Sequence, residues 1–154
     1  MKVILPGSYD PVTLGHLEII KRAASLYSDV YAVVFINAEK KYRFLPSDRL
    51  EMLRLATEEL TNVKVDFSEG LVIDYMKEND IEKIIKGYRN EFDYEYELVQ
   101  AKYNFEHGGV ETELWQADAK MKSISSTKAR EMIENGESLE KILPKKVISY
   151  INSH

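Results

Sequence analysis

The sequence predicts an α/β protein with a doubly wound, mainly parallel five-stranded sheet. Short β-branched runs recur along the chain, and amphipathic segments with helical spacing separate them. No linker, repeat or shift in composition divides the 154 residues, so one domain spanning 1–154 is expected.

The first strand is Val3 to Leu5, ended by Pro6-Gly7. In the helix after it, Leu17, Ile20, Ala24 and Tyr27 share one face. The second strand runs from Val30 to Ile36. Ser47 and Asp48, behind Pro46, read as the N-cap and first-turn acid of a second helix, whose apolar face is Leu50, Leu53, Ala56 and Leu60. A third strand, Val63 to Phe67, precedes a helix from Leu71 to about Glu78. The fourth strand, Lys83 to Lys86, leads to a helix from about Glu91 to Glu106 that stops at Gly108-Gly109. The fifth strand is Thr112 to Trp115. A fifth helix starts near Ser125 to Thr127 and stops at Asn135-Gly136, and Leu139 to Ile151 reads as helical despite Pro144. Crossover helices cover both faces of such a sheet, and ligands sit beyond the carboxyl ends of its strands. Chemistry is therefore expected in the loops after strands one, two, four and five.

Composition narrows the partners. Hydrophobic residues make up 44% and charged residues 31%, an ordinary globular balance. The net charge of -5 argues against a nucleic-acid partner and requires local cations for any anionic substrate. There is no cysteine, which removes disulfides and thiolate metal sites and suits a reducing compartment. No apolar run approaches the ~18 residues of a membrane helix. A cytoplasmic protein without membrane contact is expected.

The first loop, Pro6 to His16, joins a buried strand to a helix N-terminus, where free N–H groups favour an anion. Gly7 lets backbone approach a ligand, Ser8 offers a hydroxyl and an amide, and His16 in the first turn is placed to donate to a phosphate oxygen as its charge grows. An ordinary capping turn accounts for the same residues equally well. The second loop carries Lys40, Lys41 and Arg43; Lys40 is the candidate for contact with a substrate phosphate, against a merely solvated charge run. In the third loop Lys86 and Arg89 flank Gly87-Tyr88, so Arg89 is expected to clamp a polyphosphate bidentately and Lys86 to hold a second phosphate. Glu97 on the following helix is placed to accept a ribose hydroxyl. The fourth loop, Lys120 to Thr127, gathers hydroxyls and amides that serve either as a cap or as a cradle for β- and γ-phosphates. His107 and His154 have no partners that suggest a metal site.

With these residues in hand, the chain resembles the phosphopantetheine adenylyltransferase family over nearly its whole length. PGSYDPVTLGH is similar to that family's P-G-[ST]-F-D-P-x-T-x-G-H. IKGYRNEFDYEYE is similar to its I-R-G-[LV]-R followed by D-[FY]-E-Y-E, and SISST to its closing I-S-S-[ST]. The resemblance implies a Rossmann-like nucleotidyltransferase fold and in-line attack of the phosphate of 4′-phosphopantetheine on the α-phosphate of ATP, giving dephospho-coenzyme A and pyrophosphate. By position it implies that Ser8, Tyr9, His16, Gly87, Tyr88, Arg89, Glu97, Met121, Lys122, Ser123, Ile124, Ser125, Ser126 and Thr127 contact ATP. Ser8, Lys40, Val72 and Lys86 would contact the acceptor, with His16, Lys40 and Arg89 as the catalytic residues. Mg²⁺ would arrive with ATP rather than in a protein cage, and the family's usual hexamer implies a homo-oligomer.

Three departures from the family pattern bear on the acceptor. Lys86 stands at a usual arginine, so a planar fork becomes a point charge. Tyr88 stands at a usual aliphatic residue, and Lys120, Met121, Lys122 and Ser123 replace an acidic-aromatic approach to the last motif. Two other activities share the fold: a cytidylyltransferase with a different phosphorylated acceptor, and a nucleotide-binding module without turnover.

Overall fold

The computed structural model describes all of residues 1–154. Strands β1 (Lys2–Gly7), β2 (Asp29–Phe35), β3 (Val63–Ser68), β4 (Lys83–Tyr88) and β5 (Glu111–Gln116) form one sheet in the order β3-β2-β1-β4-β5. Every neighbouring pair is parallel, so the sheet is wholly rather than mainly parallel. Between them run α1 (Leu14–Leu26), α2 (Pro46–Thr57), α3 (Val72–Glu78) and α4 (Glu91–Gly108), and α5 (Ser126–Glu134) and α6 (Lys145–Ser153) follow β5.

Central strands of a parallel sheet bury both faces, which is why their sequences read as nearly unbroken apolar runs. Side chains alternate between the faces. Val3, Leu5, Val30, Ala32, Val34 and Ile85 enter the larger core, with Ile20, Met52, Leu53 and Val147 from the helices. Ile4, Tyr31, Val33 and Ile84 enter the smaller one, against Tyr75 and Met76 of α3.

The chain reverses its direction of winding between β1 and β4, the place where an open α/β sheet makes its ligand crevice. The β1–β2 register runs from Lys2↔Asp29 to Gly7↔Val34. The β1–β4 register stops at Ile4↔Ile84, although both strands continue. The sheet thus splits between β1 and β4 toward its carboxyl edge. Lys86 bridges the split by donating from Nζ to the Pro6 carbonyl at 3.2 Å.

Several boundaries differ from the sequence expectation. α2 is capped at Leu45 with no side-chain bond, and Ser47 lies inside the helix behind Pro46, whose missing N–H is harmless in a first turn. Leu60 lies beyond the end of α2, though it still packs on the core. The segment from Leu139 to Leu143 forms turns rather than helix, because Pro144 disfavours helical backbone before it and becomes the N-cap of α6. Leu139, Ile142 and Leu143 are nevertheless buried.

Gly108 ends α4 against α3: a Cβ there would stand 2.8 Å from Ile73 Cγ2 and 3.1 Å from its Cβ. Neither atom is the free end of a flexible chain. Gly108→Ala is therefore expected to cost about 1–3 kcal/mol in a urea unfolding curve, through overpacking. An unchanged midpoint would mean that the α3–α4 contact yields freely.

Candidate active site

The loop after β1 is shaped by side chains that turn inward. Tyr9 takes a left-handed backbone, φ 48°, uncommon for a residue with a side chain. The residue is 4% exposed and its hydroxyl donates to the Leu5 carbonyl at 2.7 Å. The Tyr9 side chain therefore belongs to the core, and the expected contact with ATP falls to its backbone. Asp10 is also buried, and its carboxylate accepts the N–H groups of Arg43 at 2.8 Å and Phe44 at 2.9 Å. Those two amides lie in the loop after β2, so Asp10 fastens the Lys40 loop to the first loop.

Thr13 and His16 close a capping box at the start of α1. The Thr13 hydroxyl accepts from the His16 N–H at 3.3 Å, and His16 Nδ1 accepts from the Thr13 N–H at 3.0 Å. A ring nitrogen that accepts carries no proton, so this bond sets the tautomer with hydrogen on Nε2. Burial, then the positive charges of Lys86 and Arg89, push the imidazole pKa from its ordinary 6.5 down to about 4. His16 is a neutral donor at pH 7. Capping and phosphate donation, alternatives in the sequence, are compatible here because they use different nitrogens.

At the end of β4, Gly87 meets α1: a Cβ would stand 3.0 Å from Ile19 Cγ1. Arg89 does not offer the free fork expected of it. Nε donates to Asp93 Oδ2 at 2.7 Å and Nη2 to Oδ1 at 3.1 Å, which occupies the bidentate edge and leaves Nη1 unpartnered. Burial works to raise the Asp93 pKa, but its hydrogen bonds to Arg89 outweigh this and hold the carboxyl below its ordinary value. Tyr88 packs edge-on against Tyr94, with ring centroids 4.9 Å apart.

In the last loop, Ile124 is buried and Met121 is half-buried against the core. Lys122 and Ser123 are exposed. Ser125 caps α5 by accepting the Lys128 N–H at 3.1 Å, Ser126 donates to the Pro11 carbonyl at 2.8 Å, and Thr127 accepts from Arg130 Nη2 at 3.1 Å. The Ser126 proton is committed to the fold; the hydroxyl protons of Ser125 and Thr127 are not.

Beside the β1–β4 split lies a groove of about 820 Å³. Ser8, Lys40, Val72 and Lys86, expected to share the acceptor, all line it. Glu97, expected on the nucleotide side, lines it too and pairs with Lys86 at 3.3 Å. His16, Arg89 and the 121–127 segment lie outside this groove.

The cytidylyltransferase-like family model matches residues 4–132. A phosphopantetheine adenylyltransferase of Clostridium novyi is 40% identical, over 96% of this chain and 92% of the relative. One of Corynebacterium diphtheriae is 41% identical over 97% and 95%, and one of Streptomyces coelicolor 38% over 96% and 92%. The chain belongs to the phosphopantetheine adenylyltransferase family. It is a nucleotidyltransferase.

Three polar residues of this adenylyltransferase site escape a reading of the sequence. Asp10 looks like a turn residue before Pro11, and its amide partners lie more than thirty residues away. Arg130 donates from Nη1 to the Asp10 carbonyl at 2.9 Å and joins α5 to the first loop. Arg49 is fully buried in α2 and donates to the Ser8 carbonyl at 3.0 Å. Only the unusual place of an arginine between the apolar Leu45 and Leu50 hints at that.

The depressed pKa of His16 has a consequence for stability. A histidine that is neutral in the fold but protonates near 6.5 in the unfolded chain contributes no penalty above pH 6.5, and stability falls as pH drops from 6.5 toward 4. His16→Gln should flatten that part of the pH–stability curve. Imidazole NMR should show one ring, assigned to His16, unprotonated at pH 5 with its hydrogen on Nε2; titration near 6.5 would rule this environment out.

Proposed function

We propose that residues 1–154 act as a single nucleotidyltransferase domain that transfers the adenylyl group of ATP to 4′-phosphopantetheine, giving dephospho-coenzyme A and pyrophosphate. The observation that carries this reading is the neutral Nε2–H donor of His16, held by the capping box and coupled to Lys86 and Arg89, beside a groove that also presents Lys40.

An oxygen of the acceptor phosphate attacks the α-phosphorus of ATP, the bond to the bridging oxygen breaks, and pyrophosphate leaves with the electron pair. The acceptor is already anionic, so no base is required. Catalysis is positioning and charge stabilisation. His16 donates to an α-phosphate oxygen as its charge grows. Lys40 and Lys86 draw in the acceptor phosphate, with Ser8 and Val72 along the groove. Arg89 reaches the polyphosphate through Nη1. The amides at the start of α5 suit the β- and γ-phosphates, because a helix N-terminus carries partial positive charge. Tyr9 through its backbone, Gly87, Tyr88 and residues 121–127 complete the nucleotide side, and Glu97, which lines the groove and pairs with Lys86, stands where the nucleotide and acceptor sides meet.

No cluster of three or more His, Asp or Glu side chains is arranged to hold a metal, and the groups near His16 are cationic. Those cations suit the anionic triphosphate itself; Mg²⁺ would come bound to ATP and would supply charge neutralisation there. No helix is long and apolar enough to cross a membrane. A cytoplasmic location is part of this proposal. None of the residues of α4 is buried, and it exposes Phe92, Val99 and Phe105, which supports a homo-oligomer, a hexamer by resemblance.

The test is pyrophosphate release by the purified protein with Mg²⁺ and 4′-phosphopantetheine, comparing ATP with CTP, and with phosphocholine as a second acceptor. ATP with phosphopantetheine should be the preferred pair. Preference for CTP or phosphocholine, or nucleotide binding without turnover, would overturn the assignment.

A further inference from the structure

Arg49 is the only cation among the buried side chains, and no carboxylate pairs with it. A buried charge without a partner is costly unless other groups replace its water. Two groups do so here. Nη1 donates to the Ser8 carbonyl, and the guanidinium lies 3.9 Å from the centroid of the Tyr42 ring, while Nε has no partner.

The same ring serves the loop that carries Lys40. The Tyr42 hydroxyl accepts the Asn37 N–H at 3.1 Å, which closes the loop on itself. Lys40 Nζ lies 5.8 Å from the ring centroid. That is near the ~6 Å limit of a cation–π contact, so the ring keeps the ammonium nearby without locking it. Arg49, Tyr42 and Lys40 form a chain of contacts from the Ser8 backbone to the groove. Ser8, Lys40 and Tyr42 all line that groove.

We propose that Tyr42, backed by Arg49, is a positioning residue that holds the Lys40 ammonium over the acceptor groove and yields it to the acceptor's phosphate. This rests on the assignment of Lys40 to that phosphate. Arg49 is fixed by burial and its contact with the ring is short, whereas the lysine contact is long, so a dianion displaces the lysine and not the arginine. Tyr42 acts through Lys40 and touches no reacting atom.

The experiment is steady-state kinetics of pyrophosphate release by wild type, Y42L, Y42F, R49K, K40A and the double variants K40A/Y42L and K40A/R49K, with melting curves for each. Y42L should lower kcat/KM for 4′-phosphopantetheine on the order of tenfold, with KM for ATP within about twofold. Y42F, which keeps the ring, should recover most of that loss. R49K keeps the charge but loses the planar stack and should act like Y42L, which preserves the test if Y42L folds poorly. In the K40A background neither substitution should cost more than about twofold further. Losses that multiply on top of K40A, or that fall equally on ATP, mark a merely structural role and overturn the proposal. So does a Y42L enzyme with wild-type kcat/KM. A wild type that does not use phosphopantetheine, or a K40A variant as fast as wild type, overturns the functional assignment itself, and this inference with it.

Discussion

Replacing His16 with alanine is expected to lower kcat about 10²–10³-fold while ATP affinity changes by less than about threefold. The asymmetry follows from where the Nε2–H bond forms. A neutral imidazole adds little to binding of ground-state ATP, whose charge is met by cations such as Lys86 and Arg89. It contributes most when the α-phosphoryl oxygens gain charge, and interactions made only then raise kcat. His16→Gln offers an amide donor but loses the tautomer set by Thr13, and should fall between alanine and wild type. Alanine also removes half of the capping box, at about 1 kcal/mol of stability, so its kinetics belong well below its melting temperature. Equal losses in kcat and ATP affinity would make His16 a ground-state contact and refute the transition-state role.

Replacing Asp10 with alanine should have the largest effect on stability. The change leaves the Arg43 and Phe44 N–H groups without their acceptor, and hydrogen bonds to a charged group contribute roughly 1.5–3 kcal/mol each. A loss of about 3 kcal/mol or more in urea unfolding is expected. At temperatures where the variant stays folded, kcat/KM for the acceptor should fall about 10²-fold, because the Lys40 loop is no longer fastened to the first loop. Asp10→Asn keeps one oxygen acceptor and should lose less of both. Stability that falls with full activity would show that Lys40 does not need this anchor, and unchanged stability would show that water replaces the carboxylate at no cost.

The elements that were legible are those whose signal is local. Val3–Leu5 and Val30–Ile36 are apolar runs because both faces of a central parallel strand are buried, and all five strands appear where such runs occur. The cap at Ser125 and the αL residue Gly109, φ 67°, follow from neighbours along the chain. Boundaries failed where a proline decided them. Pro46 starts a helix that Ser47 was expected to cap, and Pro144 divides a segment whose apolar spacing reads as continuous. The loops at the ligand edge were legible as a set. Their cations and hydroxyls cluster in four segments, and the topology predicts that those segments converge.

Three things lay outside the reach of local pattern. Arg89 looks like an open fork, but Asp93 one turn on closes it. Tyr9 looks like a ligand residue, but its ring faces the core. Arg49, Asp10 and Arg130 look like surface charges, yet each is bonded to the backbone of a distant segment.

By itself the sequence determined the doubly wound α/β class, the ligand edge, and the residue types that meet a phosphate there, since periodicity and composition reflect which faces are buried and which charges are needed. The tertiary structure decided which nitrogen of His16 is free, how far Arg89 is occupied, and which buried side chains hold the loops. Those facts depend on hydrogen bonds and burial between residues far apart in the chain. A chain's local pattern carries no record of such a partner until the fold brings the two together.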